Sequence, residues 1–333
     1  VAGTHGKTTT SSILGHLLAE TGAKVTAFIG GITNNYNSNL IQKGNEVIVV
    51  EADEFDRSFL QLKPNIGCIT SMDADHLDIY GDATTLENTF KEFGNLVPKE
   101  NLFIKNGLPL EGLTVGIEDD ALYSAQHITV ENGVYHFDFK HPDGVISQMQ
   151  FNLPGRHNLS NAITALGMAM LYGSPTSLLP KALLSYSGVN RRFTYRIKTE
   201  DRVLIDDYAH HPTEIAAVYQ SVTEMYPDTP VLAVFQPHLY SRTQDFMDDF
   251  AMQLSQFDEV FLLDIYPARE VAIQGVTSEA LLEKIKLDKK RLITKDALAA
   301  NIKKAPQKVV VMMGAGDIGV EIEKVTQFLK DAY

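Results

Sequence analysis

The chain begins with the stretch Val1-Ala2-Gly3-Thr4-His5-Gly6-Lys7-Thr8-Thr9-Thr10, in which two apolar residues lead into a turn with two glycines, a lysine and three hydroxyls. This combination predicts a phosphate-binding loop. The glycines let successive backbone N–H groups converge on one anion, while Lys7 supplies a positive charge and Thr8 a hydroxyl for Mg2+. The candidate phosphate contacts are Gly3, Thr4, His5, Gly6, Lys7, Thr8 and Thr9.

A helix is predicted directly after this loop. Apolar residues recur at helical spacing between positions 13 and 18, and Gly22 ends the pattern. A bound phosphate would therefore lie at a helix N-terminus, where the helix dipole favours negative charge. The loop departs from the G-x-x-x-x-G-K-[ST] pattern because Val1 stands at the position of the first glycine. An ordinary glycine-rich turn between a strand and a helix is the alternative interpretation.

Length and composition limit the class of protein. A chain of 333 residues with 44% hydrophobic residues suits two globular domains, for which we expect the ranges 1–188 and 189–333. The formal net charge of −13 argues against a partner made of nucleic acid or an anionic membrane surface. The single cysteine, Cys68, lies in an apolar run and predicts a buried thiol in a reducing compartment. No signal peptide or membrane-spanning run is evident, so a cytoplasmic location is expected.

Acidic residues follow two predicted strands of the first half. The apolar run 47–50 leads into Glu51-Ala52-Asp53-Glu54, and the run 66–70 leads into Asp73-Ala74-Asp75-His76. Ligands of open parallel sheets bind beyond the carboxyl ends of the strands, so these residues are expected at the same edge as the phosphate loop. Glu51 and His76 are thus candidate metal ligands beside Thr8. The alternative is that both are solvated or structural loop residues.

Between residues 113 and 153 the pattern changes to alternating strands with turn signals at 131–133 and 141–144, which predicts a β subregion attached to the α/β core. A helix is expected to open at Gly155. His157, Asn158 and Asn161 lie in its first turns and could read the edge of a purine, although one of them could simply cap the helix.

A second α/β unit is predicted after residues 188–193, which we interpret as a hinge between domains. Four apolar runs, at 203–205, 231–235, 260–264 and 309–313, are each followed by polar residues, as expected at the functional edge of a mostly parallel sheet. The fold class predicted is therefore α/β: a phosphate-loop ATPase domain with a mostly parallel sheet and a β subregion, then a smaller Rossmann-like domain.

Two other classes of enzyme are alternatives. Gly314, Gly316 and Gly319 fit the G-x-G-x-x-G dinucleotide fingerprint, but no strand follows to carry the acidic residue that binds the ribose. An NAD-dependent oxidoreductase is therefore the weaker hypothesis. A metallohydrolase is a further alternative, although no H-E-x-x-H pairing is present. Its candidate ligands would be Asp75, His76, Asp207, His210 and His211.

Taken together, these motifs resemble the Mur ligase family of cytoplasmic, ATP-dependent ligases of peptidoglycan synthesis. The resemblance spans the whole chain. It rests on the G-T-H-G-K-T loop, Glu51, His76, the H-N-L-S-N helix start, R-R-F at 191–193, D-D-Y-A-H-H-P-T at 206–213 and Q-P-H-x-Y-S-R-T at 236–243. The last two are most similar to the branch that joins L-alanine to the lactyl carboxylate of UDP-N-acetylmuramate. The murein tripeptide recycling ligases and the folylpolyglutamate synthetases are the alternatives.

The resemblance implies ATP and Mg2+ as cofactors and an acyl-phosphate intermediate. It implies that Thr8 and Glu51 hold one Mg2+ and His76 a second. It places His157, Asn158 and Asn161 at the adenine and Asp207 at the ribose. The implied catalytic residues are Lys7, His76, Arg192, His210 and Arg242, and the implied substrate contacts are Arg191, Tyr208, His211 and His238.

Three departures from the family pattern are visible. Leu239 stands where a second arginine is expected in the Q-P-H motif. Lys91 lies where several relatives carry a modified lysine, but a solvated lysine on an amphipathic helix is the expected interpretation. No segment resembles the uridine-binding N-terminal domain, which we expect to precede this chain in the natural protein.

Overall fold

The computed structural model describes residues 1–73, 80–131 and 133–331. It divides into two compact units, Val1–Asn190 and Arg191–Tyr333. The division falls within the 188–193 stretch in which the sequence predicts the boundary between two domains.

Unit 1 contains a buried helix near its N-terminus and two sheets, the second of which ends in antiparallel hairpins. Its elements are α1 (Lys7–Glu20), β1 (Val25–Thr33), β2 (Ser38–Gln42), β3 (Val47–Val49), β4 (Gly67–Ile69), α2 (Ala83–Gly94), β5 (Leu102–Lys105), β6 (Leu113–Ile117), β7 (Tyr123–Glu131), β8 (Val134–His141), β9 (Gly144–Phe151), α3 (Arg156–Tyr172) and α4 (Leu179–Leu184).

The strands of unit 1 form two sheets. The first has the order β2-β1-β3, with β1 antiparallel to β2 and parallel to β3. The second has the order β4-β5-β6-β7-β8-β9, and its first four strands are parallel. Strands β7, β8 and β9 form antiparallel hairpins, so the predicted β subregion is confirmed, with the 141–144 turn joining β8 to β9.

The first two residues fix the start of the phosphate loop between these sheets. The Val1 amino group donates to the Val50 carbonyl, and the Ala52 N–H donates back to the Val1 carbonyl. Ala2 forms a parallel bridge to Ile69 at the end of β4. The loop that follows therefore emerges at the carboxyl ends of β3 and β4, the edge at which ligands of such sheets bind.

Helix α1 is buried on every side. All residues from Thr9 to Leu18 are buried, because the helix packs against β1 on one side and α3 on another. A Cβ atom on Gly15 would lie 2.7 Å from the Ala27 Cβ, so this glycine permits the close approach of helix and strand. The α1 N-terminus is consequently held rigidly at the sheet edge.

Unit 2 is a six-stranded sheet covered by helices on both faces. Its elements are β10 (Thr194–Lys198), β11 (Val203–Asp207), α5 (Pro212–Met225), β12 (Val231–Phe235), α6 (Tyr240–Asp245), α7 (Met247–Leu254), β13 (Glu259–Leu262), α8 (Ser278–Lys284), β14 (Lys290–Leu292), α9 (Lys295–Lys304), β15 (Val309–Met313) and α10 (Ile318–Lys330).

The sheet of unit 2 has the order β10-β11-β15-β12-β13-β14 and is parallel apart from β10. Every residue of β11, β12 and β15 is buried, as expected for central strands with helices on both faces. The predicted fold class is therefore confirmed in both units. Within the described ranges, no helix is long and apolar enough to cross a membrane.

Candidate active site

The phosphate loop of unit 1 depends on its two glycines. Gly3 has a φ of 130° and Gly6 a φ of 86°, both in the region that side chains disfavour. A Cβ on Gly3 would lie 2.2 Å from Thr70 Oγ1, and one on Gly6 would lie 2.6 Å from Asn161 Oδ1. The loop is therefore packed against the end of β4 and against Asn161 of helix α3, while the adenine contact predicted for Asn161 stays a prediction.

Residues after β4 hold the loop backbone in place. The Ser71 hydroxyl accepts a hydrogen bond from the His5 N–H at 2.7 Å and lies 2.9 Å from Thr4 Oγ1. The Thr70 hydroxyl donates to the His5 carbonyl, and His5 Nε2 lies 3.3 Å from the Asp73 carboxylate. These contacts leave the loop pre-organised for a ligand, since little backbone ordering remains to be done on binding.

Lys7 is paired with Glu54, a carboxylate that is not among the predicted site residues. Its Nζ donates to both Glu54 carboxylate oxygens, at 2.9 and 2.7 Å, and to the Gly3 carbonyl at 2.8 Å. The Glu54 side chain is fully buried and the Lys7 side chain is 16% exposed. Glu54 follows Glu51 and Asp53 in the same acidic run, and the sequence gives no signal that separates the three.

Thr8 and Glu51, two predicted metal ligands, are brought together. Thr8 Oγ1 donates to Glu51 Oε2 at 3.0 Å, and the Gly30 N–H donates to Glu51 Oε1 at 2.6 Å. A Cβ on Gly30 would lie 2.8 to 3.0 Å from these three oxygens. The absence of a side chain at Gly30 therefore leaves room for the Thr8 hydroxyl and the Glu51 carboxylate. An open cavity of about 680 Å3 borders Glu51 and Gly30.

A hydroxyl and a carboxylate are hard oxygen donors of the kind Mg2+ takes, so the residues present fit this ion. His76 and Asp75, the other metal candidates near this edge, lie outside the described residues. Across the part of the chain that is described, no group of three or more His, Cys, Asp or Glu side chains is arranged to hold a metal. The described members of the metallohydrolase alternative, Asp207, His210 and His211, therefore form no such cluster.

The remaining candidates of unit 1 differ in how they are engaged. Thr9 is buried within α1. Asn158 is buried and donates to the Pro154 carbonyl at 2.6 Å, a contact that ties down the start of α3. His157 is exposed on the same helix turn. Lys91 lies beside Glu87 on α2, and both side chains are 40% exposed. The sequence predicts a solvated lysine on an amphipathic helix at this position, and the structure adds the pairing with Glu87.

In unit 2, Arg191 is bound into the glycine turn that resembles a dinucleotide fingerprint. Its Nη2 donates to the Gly314 carbonyl at 2.6 Å and its Nε to the buried Asp206 carboxylate at 3.2 Å. A Cβ on Gly319 would lie 2.8 Å from Arg191, and one on Gly316 would lie 2.6 Å from Gln236 Oε1. Side-chain packing thus accounts for these glycines, and the substrate role of Arg191 stays a prediction.

Arg192, Tyr208, His210 and Glu214 form a connected group. The Arg192 guanidinium lies 5.2 Å from the Tyr208 ring centre and 3.9 Å from Glu214. His210 Nδ1 is 2.9 Å from the Tyr208 carbonyl, which can only accept, so this nitrogen carries the proton. Burial lowers the pKa of His210, which favours the neutral ring with a free electron pair on Nε2.

Asp207 and His211 are engaged with the backbone at the end of β11. Asp207 accepts from the N–H groups of Phe193 and Ala209, at 2.7 and 2.8 Å. Burial raises the pKa of Asp207 to about 6, although Arg192 and both amides oppose the shift. His211 caps helix α5 by accepting from the Thr213 N–H. Their ribose and substrate roles remain predictions.

His238 and Arg242 come together at the start of α6. Arg242 Nη1 lies 3.4 Å from His238 Nδ1, and the His238 ring stacks on Tyr266 with centroids 5.7 Å apart. Burial, with positive charge nearby, lowers the pKa of His238 to about 4. Leu239, at the position expected to hold an arginine, adopts a φ of 70° directly before the helix. The structure thus brings the histidine and one arginine of the motif together.

The fold and these residues define an enzyme with a phosphate-handling α/β domain followed by a second α/β domain. The Mur ligase middle domain model matches residues 1–169, and the Mur ligase, glutamate ligase domain model matches residues 191–317. The chain therefore belongs to the Mur ligase family, as the motifs predict, and is a ligase.

Curated relatives share most of the sequence. The UDP-N-acetylmuramate–L-alanine ligase of Christiangramia forsetii is 63% identical over 330 residues, which are 99% of this chain and 73% of that protein. The enzyme of the same name from Flavobacterium psychrophilum is 59% identical over 99% of this chain and 74% of its own length.

Solved structures share the fold. The UDP-N-acetylmuramate-alanine ligase of Thermotoga maritima superposes with a TM-score of 0.81 at 24% identity, covering 100% of this chain and 75% of its own. The MurF ligase of the same organism, solved in complex with ADP, gives a TM-score of 0.75 at 19% identity, with 100% and 80% covered.

Proposed function

We propose that this chain is the catalytic part of an ATP-dependent ligase that joins L-alanine to the lactyl carboxylate of UDP-N-acetylmuramate, in cytoplasmic peptidoglycan synthesis. The observation that carries the proposal is the 63% identity, over 99% of the chain, to a curated relative with that name. Tripeptide recycling and folylpolyglutamate synthesis are the activities that the experiment below must separate from it.

The first half-reaction transfers the γ-phosphoryl group of ATP to the lactyl carboxylate, which releases ADP and forms an acyl phosphate. In phosphoryl transfer, the protein contributes mainly by positioning the reactants and by stabilising the charge on the phosphate oxygens. The amides at the N-terminus of α1, which begins at Lys7, bind the phosphates, and the Lys7 side chain offsets their charge. Asn161, packed against Gly6, keeps the loop against α3 beside the nucleotide.

Thr8 and Glu51 would hold one Mg2+, and His76, which lies outside the described residues, would hold a second. Bound Mg2+ supplies neutralisation of the charge that develops on the phosphate oxygens. Glu51 is kept in place for this role by the Gly30 N–H, because the carboxylate then retains only limited freedom to rotate.

The second half-reaction is attack of the alanine amine on the acyl carbon, with loss of a proton and departure of phosphate. Arg192 and Arg242 suit the carboxylates and phosphate of this step, since guanidinium groups bind such anions through two parallel hydrogen bonds. His238 and Tyr208 complete the substrate contacts. His210 accepts the amine proton on Nε2, because its Nδ1–H is already committed to the Tyr208 carbonyl.

The test is phosphate release by the intact protein with ATP and Mg2+, supplied in turn with UDP-N-acetylmuramate and alanine, with UDP-N-acetylmuramate and a tripeptide, and with a folate and glutamate. Release with alanine, together with a ligated product of the expected mass, supports the proposal. Glu51→Gln should lower this rate at least tenfold, whereas Glu46→Gln, in an exposed Lys24–Glu46 pair, should leave it unchanged. Release with the tripeptide and not with alanine would show the recycling activity instead.

A further inference from the structure

Glu54 is the buried charged group nearest to the phosphate loop to which the proposed mechanism gives no role. Its carboxylate is fully buried, and both of its oxygens accept from Lys7 Nζ. Charged side chains are seldom fully buried unless they are paired, so the buried Glu54 carboxylate depends on Lys7 as its partner.

The position of Glu54 is fixed from its backbone side as well. Its carbonyl accepts hydrogen bonds from the Tyr80 hydroxyl and from the Arg57 N–H. Tyr80 is itself buried and keeps its proton, because burial raises its pKa to about 12. Glu54 therefore offers Lys7 a carboxylate that is held in one place.

An ammonium group has three N–H donors. In Lys7 these face the Gly3 carbonyl and the two Glu54 oxygens, all within 2.9 Å. A phosphate oxygen that approaches the loop must take a donor from Glu54 or from the Gly3 carbonyl, and two of the three donors face Glu54. Glu54 thus aims the ammonium along the loop, and it also competes with the phosphate for the same positive charge.

We propose that Glu54 is a positioning residue for Lys7. The Glu54 carboxylate weakens ground-state binding of ATP, and it holds the Lys7 ammonium where the transferred phosphoryl group requires it. This inference rests on the proposed function. It differs from a purely structural role because it predicts that binding and turnover change in opposite directions when the charge is removed.

The experiment compares Glu54→Gln with the parent in the intact protein. Calorimetry measures the Kd for ATP, and phosphate release with UDP-N-acetylmuramate and alanine measures kcat. We expect the Kd to fall at least threefold, because a negative charge beside the phosphates is lost, and kcat to fall at least tenfold. The matched control is Glu46→Gln, which makes the same change in an exposed lysine pair and should alter neither value.

Weaker ATP binding together with slower turnover, or no change in either, would overturn the inference. Should Glu54→Gln fail to fold, Glu54→Asp keeps the charge but withdraws it by one methylene. The inference then requires a lower kcat at an unchanged Kd, and equal losses in both would refute it. A parent protein that neither binds ATP nor ligates alanine would instead refute the proposed function.

Discussion

Replacing Lys7 should destabilise the fold as well as remove activity, because Glu54 would lose its partner. Its carboxylate is fully buried, whereas the lysine side chain retains 16% exposure. Removing one member of a buried pair costs about 3 to 5 kcal/mol. Since Lys7 is partly accessible to water, we expect the lower end, about 3 kcal/mol, for Lys7→Met.

The double variant Lys7→Met/Glu54→Gln tests the origin of this loss. It removes both charges, so no buried ion is left uncompensated. We expect it to be about 2 kcal/mol more stable than Lys7→Met alone, a coupling that only interacting residues show. The exposed Lys24–Glu46 pair offers the control, because Lys24→Met leaves no buried charge and should not change the Tm.

Differential scanning calorimetry is the suitable assay, because the chain contains no tryptophan to report unfolding by fluorescence. The trace is fitted with two transitions, as a chain of two compact units need not unfold in one step. For a unit of this size, 3 kcal/mol corresponds to roughly 6 to 12 °C in the Tm of the affected transition. A double variant no more stable than Lys7→Met would refute the reasoning.

Three further predictions concern other parts of the molecule. Gly30→Ala should push Glu51 away and lower Mg2+-dependent turnover at least about tenfold. In the control Gly94→Ala, the new Cβ would lie 3.4 Å from Leu102, so turnover should not change. Equal activity of the two variants would contradict the metal assignment. Gly316→Ala should lower the stability of unit 2 by about 1 to 3 kcal/mol, seen as a lower Tm, since its Cβ has no room. The pKa of His238 is about 4 in the folded state and near 6.5 in the unfolded state, so the unfolded state binds more protons and the free energy of unfolding rises with pH between these values. In denaturant titrations, His238→Gln should remove about 1 to 2 kcal/mol of that rise. An unchanged pH profile would contradict a buried neutral ring.

The sequence was sufficient to predict the loop, the helix after it and the Thr8–Glu51 pair. These follow from local rules: glycine spacing, helical periodicity and the position of polar residues after parallel strands. The β subregion was likewise predictable from its alternation and turn signals. The features are set by short stretches of chain, which is why a single sequence reveals them.

Other features depend on packing and could not be predicted. Asp53 and Glu54 are adjacent carboxylates, yet Asp53 is exposed and Glu54 is fully buried against Lys7. Arg191 and Arg192 are equally adjacent, and both lie 5.2 Å from the Tyr208 ring centre. Arg191 is hydrogen-bonded to Asp206 and Gly314, whereas Arg192 lies 3.9 Å from Glu214. In each pair, the direction of the backbone decides which of the two side chains points into the protein. The residue types are the same or similar, so the sequence does not reveal this direction.

The segment after β3 connects the two charged contacts of the phosphate loop. Glu51 accepts from Thr8, and Glu54, three residues later, accepts from Lys7. Under the proposed function, Thr8 and Glu51 would hold Mg2+ in place of their mutual hydrogen bond, and a phosphate oxygen would take one of the Lys7 donors. The two carboxylates belong to one short segment that is held by the hydrogen bond from Tyr80 to the Glu54 carbonyl. A backbone movement that breaks the Thr8–Glu51 contact therefore also displaces Glu54 relative to Lys7. Metal and nucleotide should therefore bind with positive coupling, and Glu54→Gln should weaken that coupling even though it strengthens the binding of ATP.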